Sequence, residues 1–261
     1  MIKTDWKKIF INTIIYLSLF IGLSLVIKLI NVSGFIIGHI LYKHIYFLDI
    51  NNVYIINVIH HLYQGIIVLG IIILITKISQ LPFDRFYIVK KLPIKSVKTI
   101  FIFIAIWTVI QFIFELIYIY IWKLPFPSPY PISAEYVIPD LLFQLFFTGP
   151  SEELVFRSLA FSVLLMFLSS AIKRKNIATI LAIVSSDLIF MFDHINFSLN
   201  PFQVLYFNPY QMLTCSIFGT FYALLLLKYK SVIPAMIAHS LLNVSITLLT
   251  VLQFSLTYFL H

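Results

Sequence analysis

Charge is scarce in this chain. Only 11% of its 261 residues are Asp, Glu, Lys or Arg, while 61% are hydrophobic. A soluble domain is close to half apolar and about a quarter charged. An ordinary soluble fold is therefore excluded, and an integral membrane protein is implied. Arginine is confined to Arg85, Arg157 and Arg174. The single cysteine, Cys215, lies in an apolar run, which excludes an internal disulfide and argues for an inert buried thiol. No segment is polar and long enough to form a separate soluble domain. No internal repeat is visible, which counts against the inverted-repeat design of many transporters. A basic stripe interleaved with exposed aromatics is also missing, so the net charge of +8 does not point to nucleic acid.

Apolar runs fill most of the chain. Its length accommodates roughly six to eight spans of about 20 residues, and seven fit best. They are expected at 9–30, 53–76, 99–122, within 139–170, and at 177–194, 211–227 and 231–255. The expected fold class is therefore all-α, a polytopic membrane helix bundle. The N-terminal stretch is long and lacks a small-residue cleavage site, so it reads as an uncleaved first span. Residues 31–52 are expected as a short interfacial helix or part of a bent span. Residues 124–139 carry five prolines and are expected as an external connector, because proline removes backbone donors. Residues 195–210 are expected as a second long external loop.

Basic residues gather in alternate loops. Fourteen of them, including Lys77, Arg85, Lys95, Lys98, Lys173, Arg174, Lys175, Lys228 and Lys230, fall on one side; Lys28, Lys43 and Lys123 fall on the other. The positive-inside rule then puts the N-terminus in the cytoplasm and the C-terminus outside, in a multi-pass protein of the cell membrane. Abundant Ile, Phe, Tyr, Lys and Asn match AT-rich codons and point to a bacterium with a low-GC genome.

Three polar clusters interrupt the apolar helices: Glu152-Glu153 with Arg157, then Phe190 and His194, then His239 and Asn243. Buried ionisable residues cost several kcal/mol unless paired or beside water, so the clusters read as one polar site within the membrane. Glu153 and Arg157 are four apart and share a helix face. Glu152 points about 100° away. Arg157 is thus expected to neutralise Glu153 and leave Glu152 for chemistry. Asp187 lies nearly on the face of His194, either supporting the imidazole through water or making a separate contact. Glu115 needs a partner, with Arg157, His60 or His61 as candidates. The two histidines could otherwise line the cavity, with helix packing the favoured reading.

These groups suit amide hydrolysis. A carboxylate in low dielectric can act as general base on water. Imidazole can relay a proton to the leaving amine. Asn and His on one face can hold an oxyanion. The same Glu152, His194 and His239 could instead ligate zinc with an open position for water. Composition and spacing leave both forms open.

SEELVFRSL (Ser151 to Leu159) resembles the E-E-x-x-x-R motif of the CAAX-processing and bacteriocin-processing (CPBP) membrane endopeptidases. FMFDH (Phe190 to His194) resembles their F-x-x-x-H motif, and HSLLN (His239 to Asn243) their H-x-x-x-N motif. The resemblance covers about residues 139–250. It divides the chain into N-terminal membrane helices, 1–138, and a catalytic helical core, 139–261. It implies an all-helical intramembrane protease acting on a membrane-associated peptide or protein. Glu152 would activate water, and His194 and His239 would be catalytic or metal-binding. Asn243 would stabilise the oxyanion, with Glu153, Arg157 and Phe190 in support. Both a zinc form and a metal-free glutamate mechanism are compatible with the family. Ser158 stands where a glycine often follows the arginine. Bacterial relatives suggest peptide maturation or bacteriocin self-immunity. The competing reading is a non-catalytic membrane immunity or scaffold protein.

Overall fold

Among the described residues, seven apolar runs become seven helices, each long and apolar enough to cross a membrane. The computed structural model describes residues 6–49, 51–52, 54–89, 92–121, 131–199 and 201–260. The helices are α1 (Trp6–Ile45), α2 (Ile55–Ser79), α3 (Ile94–Ile121), α4 (Ala134–Ala171), α5 (Lys175–Asp193), α6 (Pro209–Tyr229) and α7 (Ile233–Leu260). Among the described residues the bundle is all-α apart from one small hairpin.

One expectation is corrected and two are made more specific. Residues 31–45 continue α1, and a single 3-10 turn (Tyr46–Leu48) follows. At about 1.5 Å per residue α1 is roughly 60 Å long, twice the hydrocarbon thickness. Gly34 and Gly38 do not break it, because their missing side chains let α2 approach. A Cβ on Gly38 would stand 2.9 Å from the Ile56 carbonyl oxygen, and one on Gly34 2.7 Å from His60 Nδ1. This is close packing through glycines four apart. Second, part of the proline-rich connector is helix. α4 starts at Ala134 and contains Pro139, whose missing N–H leaves the Glu135 carbonyl without its intrahelical donor. Residues 122–130 lie outside the described residues. Third, the loop expected at 195–210 carries an antiparallel strand pair, β1 (Asn196–Leu199) against β2 (Phe202–Tyr206). Asn208 then caps α6, its Oδ1 accepting from the backbone of Tyr210 and Gln211, with Pro209 at the first helical position.

α4 is not uniform. It widens into π-helical turns at Gln144–Thr148 and Leu154–Phe161, on either side of the glutamates. Such turns are rare and frequently accompany functional sites. One apolar core joins α1, α2, α4 and α5 around Ile27, Val68, Phe156 and Ile189. Another joins α3, α6 and α7 around Trp107, Phe218 and Leu242. The polar clusters sit between the two.

Backbone contacts tie the basic connections together. Val232 N–H donates to Tyr87 O, Ser231 Oγ to Val89 O and Tyr229 Oη to Lys95 O. The α6–α7 turn therefore lies against the α2–α3 connection. Opposite ends of the helices meet elsewhere. Lys28 Nζ donates to the Asp193 and Ile195 carbonyls at 2.7 and 2.8 Å, and Asn31 donates to the Asp193 carboxylate.

Candidate active site

Glu153 is locked in place. Its Oε2 is 3.4 Å from Arg157 Nε, and its Oε1 accepts from His239 Nδ1 at 2.8 Å. Arg157 is fully buried and reaches Asp187 Oδ1 at 3.3 Å. It also lies over the Phe190 ring, 5.4 Å from its centroid. Asp187 thus partners Arg157 and accepts from Thr220, the separate contact that was one of its two expected roles. Gly219 makes this possible, since a Cβ there would overlap Asp187 Oδ1 and stand 2.7 Å from Arg157 Nη2. A buried charge needs such pairing, because its desolvation costs several kcal/mol.

Glu152 is held differently. It lines a cavity of about 420 Å³ and makes no close ion pair. His239 Nε2 is 3.7 Å from its Oε2, and His61 Nε2 is 3.9 Å from its Oε1. Both gaps exceed a direct hydrogen bond, so water can fit beside them. With Nδ1–H donated to Glu153, a neutral His239 presents a lone pair at Nε2. Tyr222 stacks on that imidazole at 4.9 Å and fixes its plane.

His194 ends α5, just beyond its membrane-crossing stretch, and lines the same cavity. Its Nδ1–H donates to the Phe190 carbonyl at 2.9 Å, which leaves Nε2 as an acceptor. Burial lowers its affinity for a proton, partly offset by that carbonyl. Phe190 packs edge-on against His194 and 6.2 Å from His239, spacing the two imidazoles. Counted from the basic end, Phe190 is about 22 Å along α5 and His239 about 9 Å along α7. They meet because the two helices are offset or tilted along the bundle.

Asn243 Nδ2 donates to Gln144 Oε1 at 2.9 Å, and Thr148 donates to the same oxygen. Gln144 donates in turn to Asp140. One Asn243 N–H is thereby committed and the other is free to meet a ligand, since a primary amide carries two. Gln144, Thr148 and Glu152 are four apart and form one stripe of α4, a signal present in the sequence.

The structure brings Glu152, His194, His239 and Asn243 to one cavity, with Phe190 between the imidazoles. Glu153 and Arg157 lie behind it. For His61 the sequence favours helix packing over a place lining the cavity. It joins the site instead, its Nδ1 paired with Ser151 Oγ and its Nε2 toward Glu152. Its signal was a second polar group within an apolar span. Glu115 is away from Arg157 and both histidines and accepts from Gln111 at 2.7 Å. Among the described residues, no three His, Cys, Asp or Glu side chains converge to hold a metal. Glu152, His194 and His239 as they stand therefore do not fit a three-ligand zinc site.

Residues 134–245 match the family model described as Rce1-like, type II CAAX prenyl endopeptidase Rce1-like. The match spans all three polar clusters. No curated protein and no solved structure matches the chain significantly.

Proposed function

Starting from an Rce1-like core over residues 134–245 in a multi-pass membrane protein, we propose an intramembrane endopeptidase in which Glu152 activates water. The observation that carries this reading is the asymmetry of the two glutamates. Glu153 is committed to Arg157 and His239, while Glu152 faces the cavity with an imidazole beside each oxygen.

A water between Glu152 and His239 donates one hydrogen to the carboxylate and one to His239 Nε2. Glu152 removes its proton as the oxygen attacks the scissile carbonyl. The carbonyl oxygen becomes an oxyanion and accepts the free N–H of Asn243. The proton passes by way of His194 Nε2 to the leaving amine as the C–N bond breaks. Glu153 and Arg157 keep His239 in the tautomer that this needs, and Phe190 holds the imidazoles apart. The steps use the chain's own groups, and the metal-free form is the one proposed. The substrate is a membrane-associated peptide or protein, with roles in bacterial peptide maturation or bacteriocin self-immunity.

The test uses purified protein in lipid with a quenched peptide library that includes a farnesylated CAAX peptide. Wild type should cleave at least one member, and Glu152→Gln, which keeps shape but removes the base, should cleave none. Wild-type turnover in Glu152→Gln would overturn the mechanism. Retained cellular function in the same variant would favour the non-catalytic scaffold.

A further inference from the structure

The cavity is closed at one end of the bundle and open at the other. α6 lines it along most of its length, and the exposure of its cavity-lining residues falls in one direction. Tyr222 is 0% exposed, Phe218 and Cys215 are 6%, and Tyr210 is 41%. Tyr222 lies toward the end of α6 that leads to Lys228 and Lys230. Tyr210 lies at the opposite end, next to the hairpin. The other helices agree. Asn57, in the first turn of α2, lines the cavity, as does His194 at the C-terminal end of α5. His239, in the second turn of α7, is 4% exposed and forms the floor with Tyr222.

The closed end carries the basic connections. The α6–α7 turn is bonded to residues 87–95, so Arg85, Lys95, Lys228 and Lys230 lie together there. Basic loops stay in the cytoplasm. The open end therefore faces away from it.

The upper wall is rich in uncharged amides: Asn57, Gln111, Gln144, Gln211 and Asn243. Gln211 Oε1 is buried with no hydrogen-bond partner, an acceptor suited to a peptide N–H. Primary amides both donate and accept, which is what an extended backbone requires. Phe143, Tyr210 and Phe218 add apolar surface between them.

We propose that the cavity opens to the extracytoplasmic side and takes an uncharged, extended segment of an exported peptide. The substrate is thereby narrowed to chains presented at the outer face of the membrane. The inference rests on the protease reading for its chemistry, but the direction of the opening stands on geometry and charge alone.

Single-cysteine labelling tests the direction. In a Cys215→Ser background, Tyr210→Cys and Thr214→Cys report the mouth, and Lys173→Cys reports the α4–α5 turn. Intact spheroplasts are treated with a membrane-impermeant maleimide before and after lysis. Tyr210→Cys should label equally in both, and Lys173→Cys only after lysis. Failure of both Tyr210→Cys and Thr214→Cys to label before lysis overturns the proposal, as does labelling of Lys173→Cys from outside. A quenched, uncharged, lipid-anchored peptide is then added outside sealed proteoliposomes. Cleavage should scale with the fraction of protein whose Lys173→Cys is hidden from external maleimide. Glu152-dependent cleavage that scales instead with outward Lys173→Cys overturns this inference and leaves the protease reading intact. Outward labelling of the mouth, with cleavage unaffected by Glu152→Gln, overturns the mechanism and leaves the direction standing.

Discussion

Each oxygen of the Glu152 carboxylate has an imidazole beside it, His61 Nε2 at 3.9 Å and His239 Nε2 at 3.7 Å. The two nitrogens of His61 have different neighbours, so two substitutions separate them. Gln carries its amide nitrogen to about where Nε2 lies, and Asn places its amide near Nδ1, beside Ser151. His61→Asn should lower kcat with KM unchanged, and His61→Gln should recover part of the loss. The reverse order would show that His61 acts only as an anchor for Ser151. Asn243 is argued in the same way. Its free N–H meets the substrate oxygen mainly in the transition state, and loss of one such donor costs roughly 10²–10³ in turnover in a well-studied protease. Asn243→Ala should therefore lower kcat by about that factor, and Asn243→Asp should be at least as damaging because a carboxylate repels the oxyanion. An effect confined to KM would remove the oxyanion role.

Helix contacts in this bundle depend on two glycines in particular. At Gly149 a Cβ would overlap the Met236 carbonyl oxygen and stand 2.9 Å from Ser240 N, so α4 and α7 touch through backbone. That contact sets Glu152 and Glu153 opposite His239. Gly219 gives the same access for Arg157 and Asp187. Backbone cannot yield as a flexible side chain can, and overpacking costs typically about 1–3 kcal/mol. Gly149→Ala should lower the melting temperature in detergent and reduce cleavage together. Gly65 is the control, because its Cβ would meet Ser151 only at an ordinary 3.8 Å. Gly65→Ala should melt at or above wild type, since glycine costs about 1 kcal/mol relative to alanine within a helix. Equal melting of all three proteins would show that α4 and α7 have slack the structure does not display.

Across the whole molecule, the site draws on helices outside residues 134–245, the stretch that the family model matches. α2 contributes His61 beside Glu152 and Gln64 near Ser151. α1 contributes Lys28 and Asn31, which hold the end of α5 and hence His194. Residues 131–261 expressed alone should therefore give little folded protein and no cleavage, and co-expression with residues 1–130 should restore both. Size-exclusion profiles and the peptide assay report the two effects separately. A folded, active fragment would show that α1 and α2 are dispensable.

Much was legible in the chain itself. Low charge and long apolar runs fix a helical membrane bundle, because backbone groups in hydrocarbon must bond within their own segment. The spacing of Glu153 and Arg157 fixes their pairing, since residues four apart share a face whatever surrounds the helix. The stripe of Gln144, Thr148 and Glu152 was present too, but nothing in the sequence says what it faces. The pairing of Gln111 with Glu115 has the same four-residue spacing, whereas tertiary structure alone decided that Asp187 belongs to Arg157 and that His61 joins Glu152. It also decided the offset of α5 against α7, which brings His194 and His239 to one cavity. The reason is physical. Periodicity determines which residues share a face of one helix, but the height and rotation of that helix against its neighbours are set by close contacts such as Gly149 on Met236, which no single segment encodes.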